Sequence, residues 1–152
     1  MFSPPDMVDE GLWIGPAPRT EADFQRLAAL GVQEVLSLQP EDEARAIGVP
    51  PEDALRMAAA LGLALHRVPI RDFDVRSMAS GVPGAVRLLR DLRGRGRSVY
   101  VHCNAGINRA PTVAAGYLAL AHGLSGAQAC EWVTAAHPCA PDRHVVGTLA
   151  GR

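Results

Sequence analysis

One stretch limits this chain more than any other: Val99-Tyr100-Val101-His102-Cys103-Asn104-Ala105-Gly106-Ile107-Asn108-Arg109-Ala110-Pro111-Thr112-Val113. A short apolar strand runs into a loop that opens with cysteine, contains glycine and closes with arginine, and an Ala-rich helix follows. The unpaired N–H groups of such a loop and of the helix N-terminus converge on one point, where they and the helix dipole favour negative charge. A sulfur sits at the bottom of that cradle. Free cysteine has a pKa of about 8.5 and is mostly thiol at neutral pH, whereas helix N-termini and nearby cations lower it to roughly 3.5–7.5. Arg109 adds a planar fork that matches two phosphoryl oxygens at once. The Cys-x5-Arg spacing therefore predicts an attacker and a clamp around one phosphate, bound by the segment Asn104, Ala105, Gly106, Ile107, Asn108 and Arg109. Gly106 supplies a backbone angle or a close approach that a side chain would block. The only two asparagines of the chain, Asn104 and Asn108, are expected to serve left-handed turns there.

Phosphoryl transfer from an ester also needs a proton for the departing oxygen. Asp72 and Asp74 are the candidates, and in an extended segment both point to the same side, so periodicity leaves the choice open.

The run His102 to Arg109 resembles the H-C-x-x-G-x-x-R signature of the cysteine-dependent dual-specificity phosphatases. The resemblance covers nearly the whole chain and is strongest to the glucan phosphatase branch, that is, laforin-like and plant starch phosphatases. It rests on Trp13-Ile14-Gly15, on Leu38-Gln39, on the Tyr-Val-His-Cys-Asn-Ala-Gly wording around Cys103 and on Arg109-Ala110-Pro111. Ile70-Arg71-Asp72-Phe73-Asp74 looks like the general-acid loop of that branch, which implies Asp72 as the acid and Phe73 as a lining of the substrate channel. Two positions depart from the pattern. Asn108 stands where that branch has glycine, and Ala110 stands where most dual-specificity phosphatases have a hydroxyl that helps the sulfur leave, implying a slower second step. No carbohydrate-binding module is read in the chain.

At 152 residues with 48% apolar and 20% charged residues, the chain is expected to form one globular domain. A formal charge of −1 gives no reason to expect nucleic acid as a partner. All fifteen basic residues are arginine, which excludes a lysine-dependent phosphate loop. The N-terminal residues lack the pattern of a signal peptide and no apolar run reaches the length of a membrane span, so a cytoplasmic, membrane-free protein is expected; a monomer is expected as well. The three cysteines, Cys103, Cys130 and Cys139, fit a reducing compartment. No metal and no cofactor is called for. The expected partner is a phosphorylated protein or phosphorylated carbohydrate.

Elsewhere the chain alternates. Leu12 to Gly15 reads as a strand, Thr20 caps a helix that ends at Gly31, Val32 to Leu38 is a buried strand, and Glu41 to Glu43 with Pro50-Pro51 reads as a surface connection. A helix from Pro51 to Gly62 and a strand from Leu63 to Pro69 follow. Further helices are expected over Pro83–Leu92, after Arg109 with Val113, Ala114, Tyr117 and Leu120 buried, and from the Ser125–Gln128 capping box through Trp132. The fold class is thus α/β, a mostly parallel central sheet of about four to five strands flanked by helices, dual-specificity phosphatase-like, with the cysteine loop at the carboxyl end of a strand.

Blander readings compete at several residues. His102 as a satisfied core histidine that holds the loop is at least as good a reading as a catalytic role. Cys130, His137, Cys139 and His144 fit no common zinc spacing and read as structural or incidental. Arg87, Arg90 and Arg93 read as a solvated helix face, and Trp13, Trp132 and Tyr100 as core. Two other functions share the cysteine loop: a phosphate-binding pseudophosphatase, and a rhodanese-like sulfur transferase, which would not need the upstream acid.

Overall fold

The structure is a computed structural model, and it describes residues 3–151. Five strands form one sheet: β1 (Asp6–Asp9), β2 (Leu12–Gly15), β3 (Glu34–Ser37), β4 (Ala64–Arg67) and β5 (Val99–His102), in the order β1-β2-β5-β3-β4. β1 pairs antiparallel to β2, and every other pairing is parallel. Seven helices lie in the described residues: α1 (Glu21–Ala29), α2 (Glu41–Ala46), α3 (Pro51–Ala60), α4 (Val75–Gly94), α5 (Arg109–His122), α6 (Gly126–Ala136) and α7 (Arg143–Ala150).

The sheet is covered on both faces, and the pleat sorts the strand residues between them. On β5, Val99 and Val101 face the larger core with α4 and α5, while Tyr100 between them joins Trp13, Val35, Phe24 and Met57 in the smaller core of α1 and α3. Being central and parallel to both neighbours, β5 delivers its carboxyl end, and the cysteine that follows, to the middle of the sheet's edge.

The expected α/β architecture holds, with local differences. The acidic segment is not a plain connection: Glu41 to Ala46 is helical, with three carboxylates in the first turn where the helix dipole favours them and Ala44 buried beneath. α4 starts at Val75 rather than Pro83, capped by Asp74, whose side chain accepts from the Ser77 amide. It continues through Pro83 because Met78, Val82, Ala85, Val86 and Leu89 bury one continuous face on the sheet, which outweighs the missing hydrogen bond. β1 and α7 complete the layers. The helix α7 is announced by Asp142 accepting from the Val145 amide ahead of two buried valines.

Trp132 is half-exposed rather than core, stacked on His122 with its indole N–H donating to the Val8 carbonyl. Leu120 is also exposed, and Leu118 takes the buried place instead. Of the arginine stripe, Arg87 and Arg90 are solvated, but Arg93 donates to the carbonyls of Glu10 and Arg97 at the opposite end of the sheet from the cysteine loop. Among the described residues no helix is long and apolar enough to cross a membrane.

Helices α6 and α7 meet backbone to backbone. A Cβ on Gly126 would lie 2.9 Å from Gly147 Cα and 3.1 Å from its nitrogen. Alanine is the better helix former by about 1 kcal/mol, but forcing two backbones apart costs about 1–3 kcal/mol. Gly126→Ala is therefore expected to lower stability, read as an earlier midpoint in urea unfolding with an unchanged slope.

Candidate active site

The loop between β5 and α5 is fixed by what its carbonyls accept. In a trans peptide the C=O and the N–H of the next residue point in opposite directions, and none of the described peptides is cis. His102 Nδ1 lies 3.0 Å from the Cys103 carbonyl, and the Ala17 amide donates to the Asn104 carbonyl at 3.0 Å. His137 Nε2 lies 2.7 Å from the Gly106 carbonyl, the Ala140 amide donates to Ile107 at 2.7 Å, and the Thr112 amide donates to Asn108 at 3.0 Å. Each of these partners sits outside the loop. The amides of Asn104, Ala105, Ile107, Asn108 and Arg109 consequently face the other way, and a cavity of about 190 Å³ there is lined by Asp72, Phe73, Cys103, Ala105, Ile107, Asn108 and Arg109, while Asn104 and Gly106 of the expected phosphate-binding segment do not line it.

Gly106 has φ +74, and a Cβ there would lie 2.6 Å from the Gly15 carbonyl carbon, so both the angle and the space demand glycine. The asparagines act differently from expectation, because neither has positive φ. Their side chains tie the loop down instead. Asn104 accepts from Gln39 Nε2 and donates to Glu43 Oε1 at 3.1 Å, and Asn108 donates to the Ala140 carbonyl at 2.8 Å. Asn108, the departure from glycine, is thus one of the links to the α6–α7 connection.

Cys103 is buried at the floor of the cavity. Arg109 begins α5 and is only 1% exposed. Its Nη1 donates to the Ile70 carbonyl at 2.7 Å and meets Glu43 Oε1 at 2.9 Å, while Nη2 lies 3.4 Å from Asp72 Oδ2. Asp72 reaches the cavity, and Asp74 does not, being occupied as the α4 cap. Between them Phe73 has φ +56 and is 99% exposed. A non-glycine residue in this region stores of order 1 kcal/mol of strain, and here the sharp turn separates the two aspartates that an extended segment would have aimed together.

Glu43 is the residue the sequence did not mark. Its Oε1 accepts from Arg109 and Asn104, and its Oε2 accepts from the Asp72 amide at 3.3 Å. One carboxylate therefore joins the loop, the guanidinium and the aspartate segment. Three acidic residues in a row look like a solvated face, and no local signal separates Glu43 from Glu41 or Asp42.

His102 is fully buried, and burial, with Arg67 and Arg109 nearby, lowers its pKa to about 4 despite its bond to the Cys103 carbonyl. It is neutral, with the proton on Nδ1, and holds the loop as the blander reading expected. Burial pushes the thiols of Cys130 and Cys139 up, so neither is primed as a thiolate. His137 bonds Asp6 and Gly106, and among the described residues no group of three His, Cys, Asp or Glu could hold a metal ion.

A family model described as "PTP-SAK: Swiss Army Knife protein, DSP-PTPase phosphatase domain" matches residues 7–146. The amyloplastic phosphoglucan phosphatase DSP4 of Castanea sativa is 27% identical over 151 residues, covering 98% of this chain and 39% of its own length. Phosphatidylglycerophosphate phosphatase PTPMT2 of Arabidopsis thaliana is 30% identical over 133 residues, covering 88% and 55%. The chain spans less than two thirds of either relative. Among solved structures, Tk-PTP in the active form matches with a TM-score of 0.80 at 22% identity, over 100% of this chain and 99% of that one, which shows the fold.

Two outcomes are expected. Gly106→Ala should leave the chain folded but remove vanadate binding, measured by calorimetry. Between about pH 4 and 6.5 the unfolded chain holds more protons at His102 than the folded one, so stability rises with pH across that window and is lost on acidification through it. The difference is on the order of 3 kcal/mol, and urea unfolding of His102→Gln should show a flatter pH dependence there.

Proposed function

Because the chain belongs to the DSP-PTPase phosphatase family, hydrolases of the protein-tyrosine phosphatase superfamily, we propose that it hydrolyses phosphate monoesters through a cysteinyl-phosphate intermediate. The observation that carries this reading is that Cys103, Arg109 and Asp72 line one cavity together with Ala105, Ile107 and Asn108 of a loop whose carbonyls are all but one held from outside.

The Cys103 thiolate attacks phosphorus in line, forming the S–P bond as the P–O bond to the leaving group breaks. Inward amides and the Arg109 fork stabilise the three equatorial oxygens. Nη1 of Arg109 is already held by Ile70 and Glu43, so the Nε–Nη2 edge is the one presented to phosphate. The looser 3.4 Å contact to Asp72 is the one the ligand displaces. Asp72 then gives its proton to the leaving oxygen. In the second step water attacks phosphorus, the Asp72 carboxylate takes its proton, and the S–P bond breaks to release inorganic phosphate and the thiolate. His102 supports the loop, and Phe73 forms one wall of the approach for the group that carries the phosphate.

That carrier is a phosphorylated protein side chain or a phosphorylated glucan. The second is supported by the similarity to a phosphoglucan phosphatase along 98% of the chain. Initial rates on phosphopeptides against phosphorylated glucan separate the two.

With an aryl phosphate, Cys103→Ser is expected to abolish turnover. On substrates with poor leaving groups Asp72→Asn should lower kcat by about 10²–10⁴. Asp74→Asn should leave the rate near wild type, and equal losses in the two variants would remove the assignment of the acid. Turnover of thiosulfate without phosphatase activity would favour a sulfur transferase instead.

A further inference from the structure

The α6–α7 connection holds one buried titratable group that the reaction scheme leaves unused. His137 follows α6 in extended backbone and is 7% exposed. Both ring nitrogens face oxygen atoms: Nε2 lies 2.7 Å from the Gly106 carbonyl and Nδ1 lies 2.6 Å from Asp6 Oδ2. A carbonyl oxygen only accepts, so Nε2 must carry hydrogen, and a neutral imidazole has no second one. Nδ1 would then turn a lone pair on a carboxylate oxygen at contact distance. The arrangement requires a proton between Nδ1 and Asp6, which makes the pair an imidazolium bonded to a carboxylate.

The bond to Gly106 has a consequence for the cavity. Gly106 packs against the Gly15–Pro16 backbone in a conformation that only glycine adopts freely. With its carbonyl held by His137, the Ile107 N–H is directed to the opposite side, into the cavity that Ile107 lines. Among the described residues no other hydrogen bond holds the Gly106 carbonyl.

We propose that His137 is a positioning residue of the phosphate loop that does its work only while a proton bridges it to Asp6. Without that proton either the ring leaves Gly106 or Asp6 swings away, and the Ile107 amide loses its alignment and the cation behind it. The charged group that meets the ring is Asp6, from β1, and the loop offers it only the neutral Gly106 carbonyl. On the connection itself Cys139 is held neutral by burial and Asp142 is occupied as the α7 cap. The group that shares the ring's proton is therefore Asp6. This inference rests on the loop being a phosphate site.

Asp6→Asn supplies the test. An amide can donate to Nδ1, so a neutral ring keeps its Nε2 hydrogen for Gly106. The wild type is expected to show an alkaline limb in kcat/KM for an aryl phosphate that Asp6→Asn removes, with near wild-type activity below it. His137→Ala should lose kcat/KM by on the order of ten- to a hundredfold at all pH values, as a misaligned site does, and bind vanadate more weakly. An unchanged limb in Asp6→Asn, or ring nitrogen resonances showing a neutral His137 at pH 7, overturns the proposal. A wild type that neither turns over aryl phosphate nor binds vanadate overturns the phosphatase reading instead. The Ile107 amide resonance then still decides the positioning role, since it should titrate with His137 in the wild type and stay fixed in Asp6→Asn.

Discussion

A trans peptide cannot aim its carbonyl and the following N–H to the same side, and the loop after β5 depends on that constraint. Each carbonyl drawn outward commits an amide inward. The partners doing the drawing come from widely separated parts of the chain: Ala17 after β2, His102 on β5, His137 and Ala140 after α6, and Thr112 within α5. A loop held this way has its amides oriented in advance, and such preorganisation is what lets fixed dipoles stabilise developing charge.

The charged groups follow the same logic. Arg109 is among the largest fully buried side chains, and a buried cation is tolerated only when paired and hydrogen-bonded. Glu43 and the Ile70 carbonyl provide that, at 2.9 and 2.7 Å, and in doing so leave one edge of the fork for a ligand. The same carboxylate reaches the Asp72 backbone, so the aspartate segment is anchored to the arginine it must stand beside. Truncating such a hub would leave several buried partners unsatisfied together, which is more damaging than losing one bond.

Helix packing sets where all of this sits. β5 lies at the centre of the sheet, between β2 and β3; α5 packs closely at Gly116 against Val86 of α4 and Leu149 of α7, and α6 meets α7 at Gly126. The α6–α7 connection is thereby brought against the loop, where Ala140 and His137 can grip it. A segment that looked incidental in the chain becomes the outer support of the loop.

The candidate residues Cys103, Gly106 and Arg109 were legible from the letters alone, because they lie close together in the chain and their spacing has few other uses. Most strands, most helices, the Thr20 cap and the Ser125–Gln128 capping box were legible for the same reason, being local patterns. The helical start at Glu41, the entry of α4 at Val75 and the half-exposed Trp132 were not, since packing partners distant in sequence decided them. Asp72 and Asp74 are equivalent by periodicity, and only the left-handed turn at Phe73, held by the fold around it, sent one to the cavity and the other to a helix cap. Glu43 and His137 stand 60 residues before and 34 after Cys103 in the numbering, and no short-range pattern links them to it. The sequence by itself determined the strand, loop and helix that carry Cys103 and Arg109 and the layered fold, for these follow from local spacing and period. Which carboxylates and which histidines surround them was decided by the tertiary structure, because hydrogen-bond partners are chosen by distance in space.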